Sequence, residues 1–215
     1  MWNAPFKGRK EAGEKLAERL QKYREREDVV VLGLARGGMP VAAQVAEGLD
    51  APLDVIVIRK LGAPGRGELA IGAIAPEGVQ VLNDDIVETL KVSDDQIEEI
   101  RARELGTLES QLEQFRRGRE AVPLEGRTLV LVDDGLATGA TMRAAIKFGR
   151  SKNPRELIVA APIGAPETCR KLESLADDVI CLEQPTTFFA VGQGYRHFPQ
   201  VSSDEVEEML AKAAG

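Results

Sequence analysis

LVLVDDGLATGATM, residues 129–142, begins as an apolar strand, turns acidic at Asp133 and Asp134, and dissolves into small residues before a helix. Carboxylates that follow an apolar run directly stand at the edge of a sheet on a rigid backbone. Two adjacent negative charges repel, so hydroxyl groups or positive charge are expected to share them. The turn of Gly135, Leu136, Ala137, Thr138, Gly139, Ala140 and Thr141 lets backbone N–H groups approach a ligand, and the next helix points its positive end at the same place. A phosphate fits such a concavity. Thr138 and Thr141 add hydroxyl donors, and Gly139 can accept a left-handed backbone. No Gly-Lys-Ser/Thr follows the glycines and the acids precede the turn, which argues against a Walker loop and a dinucleotide fingerprint. Two other readings stay open here: an acidic strand end before a capped helix, and an acid pair holding magnesium at a phosphoryl-transfer site.

Outward from this stretch, strand and helix patterns alternate. DVVVLGLA (28–35) and LDVIVIRK (53–60) are nearly continuous β-branched runs joined by a segment of crossover-helix length, a βαβ unit. After Pro123 come the strand RTLVLVDD, the helix GATMRAAIKFGRS, the strand RELIVAAP, the helix APETCRKLESLA and the strand DDVICLE. AGEKLAERLQKY reads as an amphipathic opening helix, and residues 69–83 as a hairpin around Pro76–Gly78. Residues 93–120 are highly charged and read as a long helix capped by Ser93, expected to lie partly free of the core. The fold class is α/β with a central parallel sheet. Such sheets bind ligands beyond the carboxyl ends of their strands.

The chain has 215 residues, 43% of them hydrophobic, enough for one folded unit with a substantial core. A net charge of −7, from 35 acids against 28 bases, disfavours nucleic acid as the main partner. No apolar run approaches the roughly 20 residues that cross a bilayer, and the opening MWNAPFKGRKEAGEKLAERL lacks the pattern of a signal peptide, so no membrane association and a cytoplasmic setting are expected. Cys169 and Cys181, without a neighbouring His, suggest neither a disulfide framework nor a zinc site and are expected to be ordinary packed residues.

Other strand ends carry candidates. Arg36 offers five donors at a helix entrance, beside Gly37 and Gly38, which could equally be a helix start. Arg59 and Lys60 end the second strand and point toward the same crevice, or are solvated charge. Phe188, Phe189, Tyr195 and Phe198 gather in residues 185–206, where flat faces could stack on a base or fill the core.

LVLVDDGLATGAT resembles over its full length the thirteen-residue phosphoribosyl pyrophosphate (PRPP) motif of type I phosphoribosyltransferases. RKLGAP, ELAIGAI and FAVGQ extend the resemblance over most of the chain. It implies a single domain: a core of about 26–60 and 124–184, a flap, hairpin and long helix over 61–122, and a hood over 185–202. It implies that Asp133 and Asp134 hold the ribose 2′ and 3′ hydroxyls and that Gly135–Thr141 cradles the 5′-phosphate. Ala35, Arg36, Gly37 and Gly38 match the pyrophosphate loop, in which free N–H groups and often a non-proline cis peptide face the leaving group. Lys60 resembles a basic residue that reaches the pyrophosphate, Arg66 and Glu68 stand in the mobile flap, and Phe188, Phe189 and Tyr195 in the hood over the acceptor base. Where this chain has His197, the resemblance implies an acid, and the sequence departs from it there. The implied activity is transfer of phosphoribosyl from PRPP, with Mg²⁺, to a nitrogenous base, purine preferred, by a homodimer. Some proteins of this fold instead bind PRPP or a nucleotide as a regulatory signal; the acidic charge and the lack of a recognisable DNA-binding segment weigh against that here. A magnesium phosphohydrolase is the third class.

Overall fold

Three apolar runs set the centre of the molecule. Val29–Leu34 (β1), Thr128–Val132 (β6) and Glu156–Ile163 (β7) are buried almost throughout, as strands covered by helices on both faces must be. In the computed structural model, which describes residues 4–213 and so omits the first three residues of the opening stretch, they are the middle of a five-stranded sheet. Leu53–Ile56 (β2) and Asp178–Glu183 (β8) form its edges. The order is β2-β1-β6-β7-β8 and every pairing is parallel, with Val31 beside Val130 and Val130 beside Ile158. Alternation along the strands divides the core. Val29, Val31, Val130 and Ile158 face one cluster, and Val30, Leu32, Leu129 and Val159 face the other.

The chain leaves β1 for β2 on one side and returns to β6 on the other. The topological switch point of the sheet therefore lies between the carboxyl ends of β1 and β6, where residues 35–38 and 133–141 emerge. Helix α1 (Arg9–Arg19) and helix α2 (Met39–Leu49) pack against each other through Gly13 and Gly48, where a side chain would strike Val41 O and Ala17 Cβ respectively. Helices α5 (Ala140–Ser151) and α6 (Pro166–Leu172) follow β6 and β7.

Between β2 and β6 the structure departs from the expected single strand over 53–60. The chain leaves the parallel sheet after Ile56 and begins β3 (Arg59–Ala63), which pairs antiparallel with β4 (Arg66–Ile74), itself paired with β5 (Gln80–Leu82). A continuous β-branched run carries no mark of which sheet each half joins. The Gly/Pro segment 61–68, expected as the flap, is the tip of an antiparallel ribbon. A short helix, α3 (Asp84–Leu90), and a C-terminal helix, α7 (Ser203–Ala213), were not legible in the sequence.

The long helix is α4 (Asp94–Arg116), and Ser93 caps it as expected, accepting from Gln96 N at 3.3 Å while Gln96 Oε1 accepts from Ser93 N at 3.1 Å. It does not lie free. Ile97, Ile100, Leu108 and Phe115 form a buried stripe at three- to eight-residue intervals, which the density of charges between them conceals. Its end is anchored by Arg116, whose Nη2 donates to the buried Asp54 of β2 at 2.9 Å, and by Gln114, which donates to Glu207 of α7 at 3.1 Å.

The first described residues run beside the hood. Phe6 N donates to Gly194 O (3.1 Å), Arg196 N to Phe6 O (2.9 Å) and His197 N to Lys7 O (3.0 Å), so α1 enters the fold already tied to residues 194–197. Cys169 and Cys181 are packed and free of a disulfide, but they are not independent: their sulfurs lie 2.8 Å apart behind Gly164.

Candidate active site at the β1–β6 switch point

Asp133 and Asp134 leave the end of β6 in different settings. Asp133 Oδ1 accepts the backbone N–H of Asp134 at 2.8 Å. Asp134 is 8% exposed, and its Oδ2 accepts both Nε (2.9 Å) and Nη2 (2.8 Å) of Arg9, from the first turn of α1. The remaining Arg9 nitrogen, Nη1, donates to Pro199 O at 2.6 Å, and the guanidinium lies 3.8 Å from the centre of the Phe198 ring. Tyr195 Oη donates to Asp134 O at 2.5 Å. Burial pushes the Asp133 carboxyl well above the usual carboxylate range, and the charge of Asp134 adds to the rise. Burial raises Asp134 too, with Arg9 pulling the other way. The carboxylate of Asp134 is thus paired with an arginine that the sequence reading did not single out.

The loop that follows is built for close approach. Leu136 is buried, and its N–H is used by Ile163 O (2.9 Å), so it anchors the turn rather than lining it. Gly135 packs on Val191 of the hood, where a side chain would not fit. Among the described residues, the N–H groups of Ala137, Thr138, Gly139, Ala140 and Thr141 donate to no protein acceptor. Gly139 takes the left-handed backbone (φ 72°) that opens α5. Thr138 is exposed and Thr141 half-buried, neither hydroxyl bonded within the protein, while Thr168 Oγ1 holds Ala137 O at 2.6 Å. Five unused amides at a helix entrance are a set of donors able to take an anion.

Beside it, at the end of β1, the Ala35–Arg36 peptide is cis, as the resemblance implied. The N–H groups of Arg36 and Gly37 are unused among the described residues, and the exposed Arg36 side chain pairs with no carboxylate there. Both glycines are required by packing. A Cβ on Gly37 would run into the Asp134 carboxylate, and one on Gly38 would sit 2.7 Å from Val132 O and 2.9 Å from Asp133 Cα. Gly38 also immediately precedes α2, so the helix-start reading and the loop reading describe one feature.

A family model described as "Phosphoribosyl transferase domain" matches residues 7–198. The chain belongs to that family. As a phosphoribosyl transferase domain it is 48% identical over 208 residues to "Putative phosphoribosyl transferase Rv0571c" of Mycobacterium tuberculosis, an alignment covering 97% of this chain and 47% of that protein. The chain thus spans about half the length of the curated relatives it matches. The crystal structure of TT1426 from Thermus thermophilus is 41% identical, with a TM-score of 0.83 over 98% of this chain and 99% of that one. AQ2163 from Aquifex aeolicus, 14% identical with a TM-score of 0.51 over 82% of this chain and 73% of that one, shares the fold. The phosphoribosyl transferase fold, a parallel sheet with a small antiparallel sheet beside it, is the one observed.

Arg59 with Lys60, and Tyr195, are placed differently from expectation. Arg59 pairs with Glu104 of α4 at 2.7 Å, and with Lys60 it lines a cleft of about 650 Å³ between the β3–β4 ribbon and α4 that shares no lining residue with 35–38 or 133–141. Arg59, three positions past the end of β2, begins the other sheet, so its side chain follows the ribbon. Arg66 and Glu68 are exposed on that ribbon without ion pairs among the described residues. Tyr195 is 5% exposed, with Phe198 stacked 4.9 Å away and Phe6 at 5.8 Å, which leaves it no free face for a base. Phe188 is half-buried against that same cluster, whereas Phe189 is 82% exposed. His197 is exposed and bonded through its backbone alone.

Proposed function

We propose that the chain transfers the 5-phosphoribosyl group of PRPP to a nitrogenous acceptor, with release of pyrophosphate. The observation that carries this reading is the convergence on one crevice of two carboxylates, the amide cup of 137–141 and the free amides of Arg36 and Gly37. PRPP has a diol, a 5′-phosphate and a pyrophosphate, and these are the groups the three features would take. The 5′-phosphate would sit on the cup, with Thr138 and Thr141 adding hydroxyl donors. The ribose hydroxyls would donate to the carboxyl oxygens of Asp133 and Asp134. The pyrophosphate would meet Arg36 and the loop amides.

In the reaction the C1–pyrophosphate bond breaks, its electrons leaving with the pyrophosphate, and an acceptor nitrogen forms the new bond to C1. Positive charge on the sugar grows between those events. The carboxylates favour it, and Arg36 with the loop amides stabilises the leaving anion. Magnesium would supply further charge neutralisation on the pyrophosphate. The donor set fits an ion carried on the ligand: Arg9 already neutralises Asp134, and among the described residues no group of three or more His, Cys, Asp or Glu stands together as a cage. The same fact speaks against a phosphohydrolase built on the acid pair. Phe189 is the most exposed aromatic among the described residues of the hood, and a nucleobase, purine by family resemblance, is the acceptor class we favour. A cytosolic homodimer completes the reading.

The test is to mix the protein with PRPP, Mg²⁺ and a panel of bases and measure pyrophosphate. Release with one base supports transfer. PRPP binding without release under every base would make the chain a PRPP-responsive binding protein, and phosphate release from simple monoesters would make it a hydrolase.

A further inference from the structure

Arg9 stands 125 positions from Asp134 in sequence, in a segment that neither the PRPP motif nor any strand end includes. Its environment is unusual for a residue in the first turn of an amphipathic helix. The side chain is 9% exposed, and all three guanidinium nitrogens are engaged, two on Asp134 Oδ2 and one on Pro199 O. The face of the fork is covered by Phe198, which in turn stacks on Tyr195, and Tyr195 holds the backbone carbonyl of Asp134. Arg9 and Tyr195 therefore tie the hood to Asp134, through its side chain and its backbone respectively.

We infer that Arg9 is a positioning residue for the sugar half of the donor site, acting through Asp134. This rests on the PRPP reading above. Both donors of the fork land on Oδ2, which pins that oxygen and leaves Oδ1 without an arginine partner, turned to the rest of the strand-end site. Arg9 also sets a positive charge against the acids at the strand end. An acid pair offset in this way is better suited to accept hydrogen bonds from a neutral vicinal diol than to attract a divalent cation. Because Phe198 and Pro199 complete the arginine's environment, the hood must be seated for Asp134 to be aimed, and the acceptor side is thereby assembled together with the donor side.

The experiment compares calorimetric binding of Mg²⁺-PRPP and of Mg²⁺-pyrophosphate to the native protein, Arg9→Met, Arg9→Lys and Phe198→Leu, each checked for a cooperative melt. Pyrophosphate has no diol, and its proposed site at 36–37 does not touch Arg9. Arg9→Met is expected to weaken PRPP by about tenfold or more, the loss of one charge-assisted pair, and to leave pyrophosphate unchanged. Arg9→Lys should recover part of the loss, because it restores the charge without the fork. Phe198→Leu should show a smaller loss, again for PRPP alone. Native-like PRPP affinity in Arg9→Met, or equal losses for both ligands, would overturn the inference, the second by reducing Arg9 to a structural part. Native protein that binds neither ligand would sink the donor-site reading itself, and the role of Arg9 with it. Should Arg9→Met fail to fold, the Phe198→Leu comparison carries the same selective test.

Discussion

Replacing Asp134 with alanine leaves the Arg9 guanidinium nearly buried without its carboxylate. Removing one partner of a buried ion pair costs about 3–5 kcal/mol, because the remaining charge loses its compensation and has already lost its water. In a chain of about this size each kcal/mol shifts the thermal midpoint by about 2–4 °C, so a fall of about 6–20 °C is the outer range. Two features push the expectation to the lower half. The substitution relieves repulsion between the adjacent carboxylates, and burial already raises the pKa of both. The double variant Arg9→Met with Asp134→Ala removes the stranded charge and should melt above the single Asp134→Ala variant. Circular dichroism melts at neutral pH on the three proteins measure this directly. A single variant melting within about 2 °C of the native protein, or a double variant less stable than the single one, would refute the claim that Arg9 and Asp134 form one buried unit. PRPP binding measured on the folded Asp134→Ala protein should be weaker by at least about tenfold.

Gly139→Ala should destabilise by about 1–2 kcal/mol through its left-handed backbone, with a further loss because the new methyl meets Thr168 Cγ2 at 2.8 Å; urea unfolding reads the first, and weaker PRPP binding reads the distortion of the cup. Gly164→Ala would place a Cβ 2.6 Å from Cys169 Sγ and 2.7 Å from Cys181 Sγ, and overpacking of that kind costs about 1–3 kcal/mol in urea unfolding; unchanged stability would show that the sulfurs move aside freely. Asp133 keeps its proton to higher pH in the folded protein than in the unfolded chain. Across the window from the usual carboxylate range up to its raised value the folded state binds more protons, so stability contributed by this group is present below that window and falls as pH rises through it. Asp133→Asn should flatten that part of the stability–pH curve relative to the native protein, and parallel curves would contradict the burial assigned to this carboxyl.

What could be read along the chain was local. An apolar run buried on both faces leaves its mark in consecutive residues, so the strands 29–34, 128–132 and 156–163 and the helices after them were legible, as was the Ser93 cap. Two acids ending a strand before a turn of small residues likewise place a cup of free amides within thirteen residues, and LVLVDDGLATGAT states it almost alone. Where a pattern serves two purposes it misled: the run over 53–60 is divided between two sheets, and the apolar stripe of α4 is hidden among its charges. What only the tertiary structure decided is pairing across distance. Arg9 with Asp134, Arg59 with Glu104, Cys169 with Cys181 and Tyr195 between Phe6 and Phe198 each depend on how elements pack, and no residue's neighbours in sequence encode a partner that the sheet order brings beside it. Backbone conformation and burial follow from short-range pattern, whereas the charge state and aim of a buried side chain follow from whatever the fold sets against it.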